Sequence, residues 1–387
     1  MNFFKGFLLV LLTLICVVLF RSDSEPLENL PPVEDTPREI SAEELDWRIG
    51  QMIMIGFRGI ELSEEIEKAI TEESVGGVVL FDYDTQTKTY ERNIESREQV
   101  SSLIDGLQGL SEIPLFVAVD AEGGAVNRLK TSKGFVDIPS HKELASLSDS
   151  EILGHVGALA IQLKELGFNM NFAPVVDVNI NPKNPIIGVL GRSFSSDPKE
   201  VSRLAKLFIE EQSRKGIISV VKHFPGHGSS TGDTHKGAVD VTGVYQDTEL
   251  DPYRTLAGGG DIDAVMSAHV IDRSVDSVYP ASLSEKHIQE NLRSNIGFDG
   301  VVFSDDIDMR AIEDEFDLRE IVILAINAGV DVIVSSNNVT GYRANRASDI
   351  KQAIMESVQS GDISEERIVE SSERIMMLKK KYLDYNR

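Results

Sequence analysis

Eight short runs rich in valine and isoleucine, separated by longer amphipathic stretches, constrain this chain more than any other feature. They are QMIMIGF (51–57), GGVVLF (76–81), LFVAVD (115–120), NMNFAPVVDV (169–178), IISVVKHF (217–224), DAVMSAHV (263–270), GVVFSDD (300–306) and GVDVIVSS (329–336). Short apolar runs of this kind read as strands buried on both faces, as in a parallel sheet. Between them lie helix-like segments such as SEEIEKAITEE (63–73), DPKEVSRLAKLFIEEQSRKG (197–216) and SEKHIQENLRSNIG (284–297). Several open on Ser or Asp and close on Gly, the start and stop signals of helices. Eight strands alternating with helices predict an α/β fold, a (β/α)8 TIM barrel forming a single catalytic domain over 45–387. An open doubly wound sheet is the rival, and its dinucleotide-binding form is weakened because no GxGxxG follows the first strand.

The formal net charge of −25 argues against a nucleic-acid partner, which needs a basic face. The only cysteine is Cys16, so no intrachain disulfide can form. The first twenty residues, MNFFKGFLLVLLTLICVVLF, place one lysine ahead of an uncharged apolar run from Phe7 to Phe20. That is the pattern of an export signal. The run is shorter than the ~20 apolar residues of a full span, so 1–20 reads as an export signal or a membrane anchor. Residues 21–44 are acidic and contain proline, the composition of a flexible linker. The expected location is exported, periplasmic or extracytoplasmic, with membrane attachment through residues 7–20 as one form of it.

In a barrel of this type the chemistry gathers where strands end and the following loops begin. The polar residues at those ends are Asp120 and Glu122, Asp177, Lys222 and His223, His269, and Asp305 with Asp306. Adjacent aspartates on a strand point to opposite faces, so one of Asp305 and Asp306 can work in the barrel mouth while the other caps the next helix. The alternative is that both are caps.

KHFPGHGSSTGDTH, from Lys222 to His235, carries three of the seven histidines. Pro225 forbids a helix there, and Gly226, Gly228 and Gly232 read as a mobile loop. Asp233 and His235 are two apart and share a side of an extended segment. A carboxylate beside an imidazole fixes its tautomer, which makes a general acid/base pair. A moving loop could bring that pair over a bound substrate and withdraw it for release. The same histidines with Asp233 could ligate a metal, but Pro225-Gly226 breaks any helical H-x-x-x-H spacing. No metal and no cofactor is expected.

DAEGGAVNRL (120–129) joins a strand-end carboxylate to Arg128 eight residues on. The acid can accept from hydroxyls and the guanidinium can donate, as a polyol requires, or the two can form a structural ion pair. In GRSFSSDP (191–198), Asp197 and Pro198 read as N-cap and first helical residue, with Arg192 just ahead.

Taken in order, DAEGG…R, NFAPVVDV, GRSFSSDP, KHFPGHG followed by DTH, YPASLS and FSDD resemble glycoside hydrolase family 3, in its single-domain β-N-acetylglucosaminidase (β-hexosaminidase) branch. The resemblance covers roughly 45–378. It implies a retaining two-step mechanism in which Asp305 is the nucleophile and His235 the acid/base, supported by Asp233. It also implies sugar binding by Asp120, Arg128, Arg192, Lys222 and His223. The implied substrate is a terminal β-linked N-acetylglucosamine on peptidoglycan fragments (muropeptides) or chito-oligosaccharides. Glu122 is left with a structural role. Ala121, Ala125 and Asn127 depart from the family pattern and imply altered aglycone or loop contacts. The alternatives are a β-glycosidase of other sugar preference, a phosphorylase using inorganic phosphate, a non-catalytic sugar-binding module and a metal-dependent hydrolase. A monomer is expected.

Overall fold

The computed structural model describes residues 40–383. The expected export segment and nearly all of the expected linker lie outside the described residues. The first helix, Ala42–Gln51, begins three residues earlier than expected, because the Ser41 hydroxyl accepts from the Glu44 N–H and caps it. Among the described residues no helix is long and apolar enough to cross a membrane.

The eight expected strands all form: β1 (Ile53–Gly56), β2 (Gly77–Leu80), β3 (Phe116–Val119), β4 (Met170–Asn171), β5 (Ile218–Phe224), β6 (Ala264–Ser267), β7 (Val301–Ser304) and β8 (Ile333–Ser335). They make one sheet in which β1 to β7 neighbour each other in chain order and β8 returns beside β1. Each of these pairings is parallel. A parallel bridge between Phe303 and Val332 joins β7 to the start of β8, and the Ser304 N–H donates to the Val332 carbonyl at 2.9 Å. That contact closes the sheet into a TIM barrel. Phe116, Phe172 and Phe303 fill its interior, with Phe303 edge-on to each of the others at 6.3 Å.

β4 is far shorter than the ten-residue run NMNFAPVVDV. Pro174 has no N–H to give to the ladder, so regular pairing stops after Asn171. The chain rejoins its neighbour through the Val175–Lys222 bridge, and the Val176 N–H donates to the Lys222 carbonyl at 2.8 Å. This detour turns Asp177 to lie under the end of β5. Between β4 and β5 the helix Pro198–Ser213 starts as expected, with the Asp197 carboxylate accepting from the Lys199 N–H and Pro198 in the first turn. After β6, the segment 284–297 is wound as a π-helix from Lys286 to Asn295. A small apolar cluster of Val239, Val241, Ala268, Val270 and Ala281, with Tyr245 against it, supports the far end of the loop after β5.

Candidate active site

The carboxyl ends of the strands surround a cavity of about 270 Å³. Its floor is a chain of buried charges. From the end of β5, the Lys222 ammonium sits 2.7 Å from Asp120 Oδ1 and 2.7 Å from Glu122 Oε1. Arg192 grips Glu122 with two parallel bonds, Nε and Nη2 each at 2.7 Å, and gives its Nη1 to the Ile186 carbonyl. Burial alone would raise the Glu122 carboxyl, but Arg192 and Lys222 outweigh it and hold the group far below the carboxylate range. Glu122 therefore stays ionised and enclosed, which suits the structural role expected of it. Arg128 lies 3.4 Å from Asp120 Oδ2, so the two form an ion pair and also line the cavity. The tip of the DAEGGAVNRL hairpin exposes Ala125, while Val126 lines the cavity.

His223 stands over this floor. Its Nδ1 is 2.7 Å from Asp177 Oδ2 and its Nε2 is 3.2 Å from Arg192 Nη2. The carboxylate can only accept and the guanidinium can only donate, so Nδ1 carries the proton. With both ring nitrogens engaged, one of them by a cation, His223 is poorly placed to ligate a metal. Asp177 also accepts from the backbone N–H of His227 at 2.7 Å. It thus ties the strand end to the start of the next loop, a role that its position at the end of strand four did not reveal. His227 lines the cavity as well, and its Nε2 has no hydrogen-bond partner among the described residues. The sequence offered it only as a possible metal ligand.

The strand-seven aspartates divide their work. Asp306 turns toward β8, where its Oδ1 accepts from the N–H groups of Asp308 and Ser336 at 3.1 and 2.8 Å and its Oδ2 accepts from the Ser336 hydroxyl. Burial and the neighbouring Asp308 push the Asp306 carboxyl up. Asp305 lines the cavity, its Oδ1 receiving the Asp306 N–H at 2.8 Å. Burial would raise its carboxyl, but the rings of His269, His223 and His235 and that N–H outweigh burial and hold it below the usual range. The buried His269 donates Nε2–H to the Asp306 carbonyl at 3.0 Å and accepts the Ser282 hydroxyl on Nδ1 at 2.6 Å.

The loop after β5 is not slack along its whole length, contrary to expectation. Pro225 to Ser230 are buried. The Gly228 and Ser229 N–H groups donate to Glu249 Oε2 at 2.8 and 3.1 Å, and Asn184 holds the His227 carbonyl at 2.7 Å. A Cβ on Gly228 would lie 1.7 Å from the Val178 carbonyl oxygen, so this glycine is demanded by close packing. Beyond Ser230 the chain rises to the surface. There His235 is exposed, with Nδ1 2.9 Å from Asp233 Oδ1, and Lys236 lies 3.1 Å from Asp233 Oδ2. His235 lines the same cavity as Asp305. Burial would raise the Asp233 carboxyl, but the His235 N–H, Lys236 and the imidazole hold it below its ordinary value. The eight residues to which the family resemblance gives catalytic or sugar-binding roles thus surround one cavity or, for Asp233, back a residue that lines it. No group of three or more metal-ligating side chains is arranged to hold a metal among the described residues.

The comparisons agree with this architecture. The model of the glycosyl hydrolase family 3 N terminal domain matches residues 44–378. A β-hexosaminidase of Tolumonas auensis is 36% identical over 297 residues, covering 75% of this chain and 84% of its own. Among solved structures, a glycoside hydrolase family 3 β-N-acetylglucosaminidase from Paenibacillus sp. FPU-7 superposes with a TM-score of 0.80 at 34% identity. It covers 90% of this chain, which spans 64% of that longer one, slightly under two thirds. A β-N-acetylhexosaminidase from Beutenbergia cavernae, at 26% identity and a TM-score of 0.77, is spanned over 99% of its length, with 88% of this chain covered. A match over nearly the whole barrel and a charged cavity at the strand ends lead to one conclusion: the chain belongs to glycoside hydrolase family 3 and is a glycoside hydrolase.

Proposed function

We propose that the protein is a retaining exo-β-N-acetylglucosaminidase that removes terminal β-linked N-acetylglucosamine through a covalent glycosyl-enzyme. The observation that carries this reading is the placement of Asp305 and His235 on one cavity whose far end is closed by the Asp120–Lys222–Glu122–Arg192 cluster. A closed floor admits one terminal sugar, and fixed donors and acceptors there match its hydroxyls.

In the first step Asp305 attacks the anomeric carbon as the bond to the leaving oxygen breaks. His235 gives its Nε2 proton to that oxygen. Its Nδ1 faces Asp233, which leaves Nε2 for the substrate. Neutral His235 then takes a proton from water, and the hydroxide equivalent displaces Asp305 with net retention. Asp233 remains ionised and orients the ring. Asp120, Arg128, Arg192, Lys222 and His223 bind the sugar. Retaining glycosidases usually pair two carboxylates; in this proposal an imidazole with its carboxylate partner replaces the acid.

The natural substrates we propose are muropeptides or chito-oligosaccharides met outside the cytoplasm, on the strength of the apolar leader and linker in 1–44. The enzyme is proposed to act as a monomer. The test is mass spectrometry of products from defined muropeptides and chito-oligosaccharides, with nitrophenyl N-acetylglucosaminide and glucoside compared in the presence and absence of phosphate. Release of free N-acetylglucosamine, independent of phosphate and faster than glucose release, is expected. Phosphate-dependent appearance of sugar 1-phosphate would move the assignment to a phosphorylase.

A further inference from the structure

A separate cavity of about 410 Å³ lies between the segment 245–254, the loop 272–275 and the π-helix Lys286–Asn295. His287, Asn291 and Asn295 come four residues apart on that helix and line one wall; Tyr245, Arg254 and Asp272 stand among the residues opposite. His287 is only 1% exposed, yet neither Nδ1 nor Nε2 has a hydrogen-bond partner among the described residues. Buried polar groups are almost always satisfied, so an imidazole bare at both nitrogens beside an open cavity calls for an occupant.

The chemistry of the walls narrows that occupant. Burial pushes His287 down to about 4, so near neutral pH the ring offers one donor and one acceptor. Arg254 is already held by Asp247 through Nη1 and Nη2, each at 2.9 Å, and by Asp251 at 2.9 Å. An anion would therefore find no uncommitted cation on these walls. Asp272 is 3% exposed and accepts from the Ser274 N–H and hydroxyl. A metal would need three ligands, and no such group exists among the described residues. What remains is a ligand that donates to a carboxylate and both donates to and accepts from an imidazole and an amide, Asn291, whose Oδ1 accepts one bond from Asn295 Nδ2 at 3.1 Å and whose Nδ2 is left to donate. Hydroxyl groups do this without carrying charge.

We propose that this cavity is a second saccharide site, binding a neutral polyhydroxylated ring through His287, Asn291 and Asp272, apart from the cavity of Asp305. The site does not depend on the catalytic roles assigned above. The full-length chain, labelled with ¹⁵N in its histidine rings, would be titrated with N-acetylglucosamine and with glucose. The His287 ring signals are identified by their loss in His287→Leu. Saturable movement of the His287 signals is expected, with an affinity distinct from the one reported by His223 and His227. Asn295→Trp, at an exposed rim position, keeps the ring signals of a folded protein, abolishes the His287 response and leaves nitrophenyl N-acetylglucosaminide turnover within about twofold. If neither sugar moves the His287 signals, the cavity holds water only and the proposal fails. It also fails if inorganic phosphate moves them as strongly as sugar does. Absence of turnover in the parent protein together with a saturable His287 response would count against the catalytic reading alone.

Discussion

Lys379 gives the sharpest quantitative test of how this barrel handles buried charge. It lies in the C-terminal helix Glu365–Tyr382 and is fully buried. Its ammonium has one hydrogen-bond acceptor, Gln51 Oε1 at 2.8 Å, and rests 5.0 Å from the centre of the Phe116 ring. Among the described residues no carboxylate pairs with it, and burial lowers it from 10.5 to about 7. The folded state therefore loses this proton at a lower pH than the unfolded chain does. Between about pH 7 and 10.5 the unfolded state binds more protons, so this residue's contribution to stability rises with pH across that window. Below pH 7 both states are protonated and the cost is constant. At about 1.4 kcal/mol per pH unit, the buried charge costs roughly 5 kcal/mol there.

Lys379→Met keeps the length of the side chain and removes the charge. It also leaves Gln51 Oε1 without its donor, at a cost of about 1–3 kcal/mol. The variant is thus expected to be more stable than the parent by about 2–4 kcal/mol at pH 6, and equal or less stable near pH 10. Urea unfolding from pH 6 to 10, followed by the fluorescence of Trp47, the only tryptophan, measures the difference. Comparing the two proteins at each pH cancels every other titrating group. A difference that stays constant from pH 6 to 10 would show that the lysine charge is not confined as the structure places it.

Asp305→Asn is expected to leave circular dichroism and melting temperature unchanged and to reduce turnover by about 10³-fold or more; retained activity would remove it as nucleophile. His235→Ala should slow substrates with poor leaving groups by about 10²–10⁴-fold and nitrophenyl substrates much less, and equal losses on both would contradict proton donation by this ring. Glu249→Ala strips the acceptor from the Gly228 and Ser229 N–H groups, at about 1–3 kcal/mol for each donor left bare. Hydrogen exchange at those two amides should accelerate and turnover should fall, whereas unchanged protection would show that Glu249 does not hold the loop.

The barrel was readable because each strand is a short apolar run that stops abruptly on polar residues, and burial on both faces demands that composition. Among the candidate site residues, Asp120, Lys222, His223 and Asp305 fall where those runs end and were readable for the same reason, whereas Arg128, Arg192, Asp233 and His235 stand in the loops beyond. What could not be read locally depended on residues distant in the chain. Nothing near FSDD tells Asp305 from Asp306; the choice is made by Ser336, thirty positions on, which captures Asp306. NMNFAPVVDV reads as one strand, yet Pro174 cannot continue the ladder, and the resulting detour brings Asp177 under His223. The glycines of PGHGSSTG suggested mobility, while Gly228 answers to the Val178 carbonyl packed against it. Composition reports flexibility and close packing with the same residue, and only the neighbour across space separates them.

The floor of the cavity at the strand ends bears on function because its charges do not serve stability well. Asp120, Lys222, Glu122 and Arg192 form a continuous alternation of charge with contacts of 2.7 Å. Desolvating such ions costs several kcal/mol each, and apolar residues of similar volume would often hold a barrel together better. The arrangement instead gives a rigid set of ionised acceptors and donors whose side chains are anchored before any substrate arrives. A chain carrying −25 overall thus presents a locally balanced surface, with two carboxylates facing two cations, on which neither charge sign dominates. Such a surface favours a neutral ligand with many hydroxyls over an ion of either sign. Rigidity below is matched by exposure above: the buried stretch Pro225–Ser230 anchors the loop beside the floor, and His235 stands exposed on the same cavity with Asp233 behind it.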